Sequence, residues 1–299
     1  MPIKKTRVVE VHSGSINAGE KLNQAESAKM LSMGLDALSP TGVGRDLLDK
    51  LFPQKETIGL KINTLAGRLM STSPELTYAF ADILNQAGHS KKDIIIWDRR
   101  EAELTRAGYT IRAAGSDYQC FATDTRGAGF APELYTHKSI GSMVSRIQAE
   151  LTQSVVNFPV LKDHSIAGLS GCLKNYYGVI HNPNKYHDSY CNPYLADLYE
   201  MDIIKGKQKL ALVDASCVQF NGGPGYVSRW AFKFNSILLA TDAVALDRVA
   251  LEVVDRLRTK SGLQRLKDCG REPVYLNTAT GYNAGCADLG QIDWVIVNI

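Results

Sequence analysis

Between Lys162 and His187 the chain holds three of its six histidines, His164, His181 and His187, together with Lys162, Lys174 and the glycines Gly168, Gly171 and Gly178. An imidazole titrates near ~6.5, so it can move a proton at neutral pH or ligate a metal in its neutral form. An ammonium draws in an anion and lowers a neighbouring histidine's pKa; stripped of water it becomes a nucleophilic amine. His164, Lys174 and His187 are therefore the candidate catalytic set, if Gly168 to Gly178 folds as a turn and a short helix. His187 is also the candidate metal ligand. Lys162 and Asn175 join the set as substrate-binding groups.

Other candidates lie elsewhere in the chain. Lys61 and Asn63 are two apart on an expected strand and so share a face. A Lys–Asn donor pair suits a carboxylate or phosphate oxygen. Asp98, Asp214 and Asp242 each follow an apolar run, where a carboxylate can orient a histidine or hold a cation. Asp98 and Asp242 also stand where a helix start needs a cap.

The elements that must position these groups are legible as strands and helices in turn. Arg7–Val11 reads as a strand, Gln24–Leu38 as a helix with Met30, Leu31, Leu35 and Leu38 at helical spacing, and Arg45–Leu51 as a short helix. Thr57–Asn63 is the next strand. Ser73, Pro74 and Glu75 open a helix that Gly88 closes. Asp93–Trp97 is a strand apolar throughout, as interior parallel strands are, and Glu101–Ala107 a helix. Val155–Leu161 reads as a buried strand that ends before the polar stretch, and ligands in open α/β sheets bind beyond such carboxyl ends. A helix from Pro193 to about Ile204, strands at Leu210–Val213, Ser236–Ala240 and Ile292–Val297, and a long helix from Asp242 to about Thr259 complete the pattern. Asn221–Gly225 is a glycine run suited to a plain loop or to wrapping an anion.

This order predicts an α/β fold, a mostly parallel sheet with helices on both faces. It is one domain over 1–299, or two lobes around a cleft at about 1–112 and 151–299, with 113–150 connecting them or forming a lid. Composition agrees with a globular chain: 299 residues, 44% hydrophobic and 22% charged. The net charge of +3, with no Lys/Arg stripe interleaved with aromatics, argues against nucleic acid as a partner. Six cysteines without a C-x-x-C pair argue against an iron–sulfur cluster, a zinc ribbon or a thioredoxin motif. No apolar run approaches the ~20 residues of a membrane span. Met1–Arg7 lacks an apolar signal core, so the chain reads as cytoplasmic, or as exported if a leader has been trimmed away.

Three pieces carry a family resemblance. They are Lys61-Ile62-Asn63 with Ser73-Pro74-Glu75-Leu76, then Pro159–His164 running to Leu173-Lys174-Asn175-Tyr176-Tyr177-Gly178, then Ala240–Asp247. Together they resemble the bacterial and archaeal family known as domain of unknown function 362, from about Val8 to Ile299. The resemblance implies no common activity. Members with ferredoxin-type modules or twin-arginine signals exist, and this sequence shows neither. The shorter run from His164 to Lys174, with His187 beyond, is similar to the central segment of nickel-pincer lactate racemases. That likeness implies an acid/base role for His164, cofactor attachment at Lys174 and nickel ligation by His187. The second catalytic histidine of that family has no counterpart here; Asp98 and Arg99 sit where one is sought, and His89 precedes the strand.

The functional expectation is a small-molecule enzyme acting on an anionic, carboxylate-type substrate, with histidine acid/base chemistry and lysine anion binding. The alternatives are a non-catalytic anion- or cofactor-binding protein, a pincer-type racemase and a redox protein with a metal centre. Cofactor, metal and oligomeric state are open at this stage.

Overall fold

The computed structural model describes residues 5–14 and 22–299; Met1–Lys4 lie outside the described residues. The first half runs β1 (Thr6–His12), α1 (Gln24–Leu38), α2 (Gly44–Leu51), β2 (Ile58–Ile62), α3 (Pro74–Gln86), β3 (Ile94–Asp98), α4 (Glu101–Ala107), β4 (Gln119–Ala122) and a hairpin of β5 (Tyr135–His137) and β6 (Ile140–Ser142). Then come β7 (Ser154–Phe158), β8 (Val160–His164), β9 (Gly168–Ser170), α5 (Cys172–Asn175), α6 (Tyr194–Glu200) and α7 (Asp202–Lys205). The chain closes with β10 (Gln208–Gln219), β11 (Ala231–Ala240), α8 (Ala243–Lys260), α9 (Tyr275–Gly281) and β12 (Ile292–Asn298).

Among the described residues ten strands form one sheet in the order β12-β1-β11-β10-β7-β2-β3-β4, with β8 pairing β10 and β9 pairing β8. The pairs on the β4 side, from β10 through β7, β2 and β3, are parallel, as is β1 with β12. Only β11 runs against both its neighbours, and β9 turns back on β8. The expected α/β class and mostly parallel sheet are therefore what the chain adopts. Strands from before and after residues 113–150 alternate in this sheet: β1 lies between β11 and β12, and β7 lies beside β2. Residues 113–150 themselves supply the edge strand β4 and the β5–β6 hairpin.

Alternation of side chains divides the core in two. Ile58, Leu60, Ile62, Ile94 and Ile96 face α1 and α3, packing with Leu31, Leu35 and Phe80. Trp97, Ala211, Val213 and Leu238 face the other way, toward Leu173, Leu198, Val249 and Val254. Helix starts follow the expected chemistry. Ser73 accepts from the Leu76 amide with Pro74 in the first turn, and Asp242 accepts from Val244 and Ala245.

One departure shapes the site. The apolar run from Val155 does not end at Leu161 before a polar loop. Pro159 has no N–H and breaks the ladder, and the chain continues as β8 with Lys162, Asp163 and His164 on the strand. Before the break β7 pairs with both β2 and β10; after it β8 pairs with β10 and leaves β2. A fork opens there between the carboxyl ends of β2 and β8. Likewise β10 runs on past Asp214 to Gln219 through an irregularity in register, and β11 begins at Ala231 rather than Ser236.

Candidate functional site

A cavity of about 260 Å³ sits in the fork. Its wall brings together Asn63 after β2, Asp98 at the end of β3, His164 at the end of β8, Lys174 and Asn175 of α5, and His187. Six of the ten sequence candidates thus line one space. Lys61 and Lys162 lie directly beneath it, while Asp214 and Asp242 lie elsewhere.

The floor is a buried polar network. Lys61 is fully buried; its Nζ donates to Asp98 Oδ1 at 2.8 Å, to Asn175 Oδ1 at 3.0 Å and to Ile62 O at 2.7 Å. All three of its donors are therefore satisfied, and Asp98 compensates its charge. The other Asp98 oxygen accepts from the Thr64 amide and hydroxyl at 2.7 and 2.8 Å. Asp98 does not cap α4; Asp124 holds the Glu101 amide at 2.8 Å. Asn175 donates to Lys61 O and Asn157 Oδ1, at 3.0 and 2.9 Å. Lys162, also fully buried, donates to Asn63 Oδ1 at 2.9 Å, and burial pushes its ammonium down to about 8.

The two imidazoles stack with ring centroids 5.7 Å apart. His164 Nδ1 receives the amides of Ile166 and Ala167, at 3.2 and 3.1 Å. An acceptor nitrogen carries no proton, so neutral His164 has its proton on Nε2. His187 Nδ1 lies 3.0 Å from the carbonyl of Pro183, which can only accept. Its proton is therefore on Nδ1 and its lone pair on Nε2. Burial, then Lys174 and His187, push His164 down to about 2. Burial and Lys174 also lower His187.

Lys174 sits over the Tyr177 ring at 4.1 Å, and among the described residues no carboxylate pairs with it. Burial lowers its ammonium to about 8. Tyr177 in turn meets His187 edge-on at 5.2 Å. After His187 the chain passes Ser189, Tyr190 and Cys191 in the left-handed region, with φ of 50, 58 and 64°. Each such residue costs roughly 1–2 kcal/mol, a strain that surrounding packing must hold, as happens near working sites.

Two clamps fix these groups. The first acts on α5, only four residues long and unable to stand alone. Asp247 of α8 accepts the Cys172 and Leu173 amides at 2.6 and 2.9 Å, and burial raises its carboxyl to about 6. Gly171 allows that approach, since a Cβ there would lie 2.2 Å from Asp247 Oδ1. The second clamp acts on the turn after His164. Arg271 reaches Asp163 Oδ1 at 2.5 Å and the carbonyl of His164 at 2.9 Å. Asp163 also takes the Gly223 amide at 2.9 Å, so the glycine run packs on β8.

Asp214 accepts the Ser73 amide at 2.9 Å and the Ser216 hydroxyl, tying the start of α3 to β10. Asp242 caps α8 and holds the Cys286 amide. His89 packs edge-on against Phe52 in the opposite half of the core. Sequence reasoning gave no site role to Arg99, Glu103 or Tyr177, which also line the cavity. Glu103 is raised by burial and by Asp98; its place in the first turn of α4, five residues after the end of β3, was the available signal. Among the described residues no group of three or more His, Cys, Asp or Glu could hold a metal ion, and no helix is long and apolar enough to cross a membrane.

Comparison with protein families matches residues 58–252 to the family described as Domain of unknown function (DUF362). The chain belongs to that family. The matched span of this DUF362 protein contains the Lys61, His164, Lys174 and Asp247 pieces. No curated protein matches it. Among solved structures it is similar to a Thermotoga maritima protein determined by a structural genomics consortium, at 12% identity and a TM-score of 0.43. The similarity covers 83% of this chain and 61% of the other, so this DUF362 chain spans less than two thirds of that protein's length.

Proposed function

We propose that the cavity binds a small carboxylate and transfers a proton on it. The observation that carries this reading is the pair of stacked imidazoles in opposite tautomers beside an ammonium that no carboxylate among the described residues pairs with. Lys174 attracts the carboxylate. His187, with the Nε2 lone pair free, is the base. His164 takes a different role from the acid/base one expected of it: locked neutral, it offers an Nε2–H to a substrate oxygen, as a neutral imidazole does when its pKa is held far down. Asp98 and Asn175 act through Lys61 and Asn63, holding the floor. The reaction class is proton abstraction beside a carboxylate, which includes racemisation and epimerisation.

The test is hydrogen–deuterium exchange. The protein is incubated in D2O with a panel of 2-hydroxy and 2-amino acids, and the α-proton is followed by NMR. We expect exchange with at least one member, lost by 100-fold or more, on the order of a general base's contribution, in His187→Gln while affinity is kept. Binding with no exchange anywhere in the panel would make the protein a carboxylate binder instead. Stoichiometric metal in natively purified protein would give His187 Nε2 a ligand's role.

A further inference from the structure

A second cavity, about 380 Å³, lies beside the first. Both stand on the same face of β8: Val160 lines the second and His164 the first, with Lys162 between them. Four strand residues place the two about 13 Å apart. They also share walls. The segment after β2 gives Asn63 and Leu65 to the first cavity and Arg68, Leu69 and Ser71 to the second. The segment before β11 gives Pro224 to the first and Tyr226 and Ser228 to the second.

The first cavity gathers the histidines, Lys174 and Asp98. The second has an apolar part formed by Leu22, Leu69, Pro74, Val160 and Tyr226, with serine hydroxyls between them and Arg68, Glu75 and Lys233 also in its wall. Leu65, Leu69 and Tyr226 are 54%, 57% and 38% exposed on the shared walls, an apolar rim that a ligand would cover. Beneath the join, buried Lys162 makes its hydrogen bond to the neutral Asn63 amide.

From these features we infer that the two cavities are the ends of one cleft, and that the ligand is a carboxylate with an apolar tail, its head at Lys174 and its tail in the second cavity. This rests on the carboxylate reading of the first cavity and adds the substrate's second half.

The experiment measures the affinity of the full chain for acetate, hexanoate and decanoate by calorimetry. Burial of each methylene strengthens binding up to about fourfold, so affinity rises steeply along the series. Ser228→Trp, an exposed position that can fill the second cavity, flattens that rise; Ala231→Trp, from another part of its wall, does the same. Affinity independent of chain length but weakened by Lys174→Met would overturn the tail subsite and leave the carboxylate reading standing. A rise that persists in both tryptophan variants would also overturn it. Binding of none of the three, or binding indifferent to Lys174→Met, would overturn the carboxylate reading and this inference with it.

Discussion

At the scale of residues, two imidazoles of one chemical type are made different by what touches Nδ1. Backbone amides turn His164 into a fixed donor at Nε2, and a backbone carbonyl turns His187 into an acceptor there. Buried and next to an ammonium, His164 stays neutral far below the usual range, to about 2. We expect its ring carbons and nitrogens to show no titration between about pH 4 and pH 8, where an unperturbed histidine passes its midpoint. Two-dimensional NMR of ¹⁵N-labelled protein reads this directly, and the Nδ1 resonance reports an unprotonated acceptor. A midpoint near ~6.5 for His164 would contradict the tautomer and the donor role.

At the scale of elements, the site depends on a helix too short to hold itself. Four residues of α5 carry Lys174 and Asn175, and their amides are held by a carboxylate arriving from α8. Gly171→Ala forces a Cβ against that carboxylate, 2.2 Å from its Oδ1. We expect a loss of about 1–3 kcal/mol, the usual cost of overpacking, by urea denaturation, together with weaker anion binding. Unchanged stability and unchanged binding would mean that the Asp247 cap does not position Lys174. The sequence showed the Gly171–Lys174 piece and the Ala240–Asp247 piece as separate stretches. Their mutual purpose was not legible, because nothing in periodicity says that one helix's carboxylate caps another helix across the core.

At the scale of the whole molecule, the strand and helix order was readable because its signals are local. Apolar runs, caps at Ser73 and Asp242, and a glycine at position 88 mark elements without any tertiary knowledge. The convergence was readable in part: Lys61, Asn63 and Asp98 from their places at strand carboxyl ends, and His164, Lys174 and His187 from the condition that Gly168 to Gly178 folds as a turn and a short helix, which α5 meets. What stayed hidden depends on how strands diverge. The run Val155–Leu161 reads as one strand through Pro159, yet Pro159 splits it into two and opens the fork that holds the site. Asp214 reads as a strand-end carboxylate because the polar residues after it mask the continuation of β10; in the fold it ties α3 to the sheet. Glu103 was hidden because a helix's first turn is usually solvated, and only the β3–α4 geometry turns it toward the cavity.

The central claim is that the Lys174 ammonium, which no carboxylate among the described residues pairs with, holds a carboxylate beside His187. Its most direct measurement is acetate affinity by calorimetry across pH, in the natural chain and in Lys174→Met. Lys174 is charged below about 8 and neutral above it, so affinity is full between about pH 6 and pH 7, where acetate is ionised, and falls as pH rises through about 8, approaching tenfold per unit beyond it. The variant should bind weakly at every pH. Affinity that stays level through pH 8 in the natural chain, or that survives intact in Lys174→Met, would contradict the account.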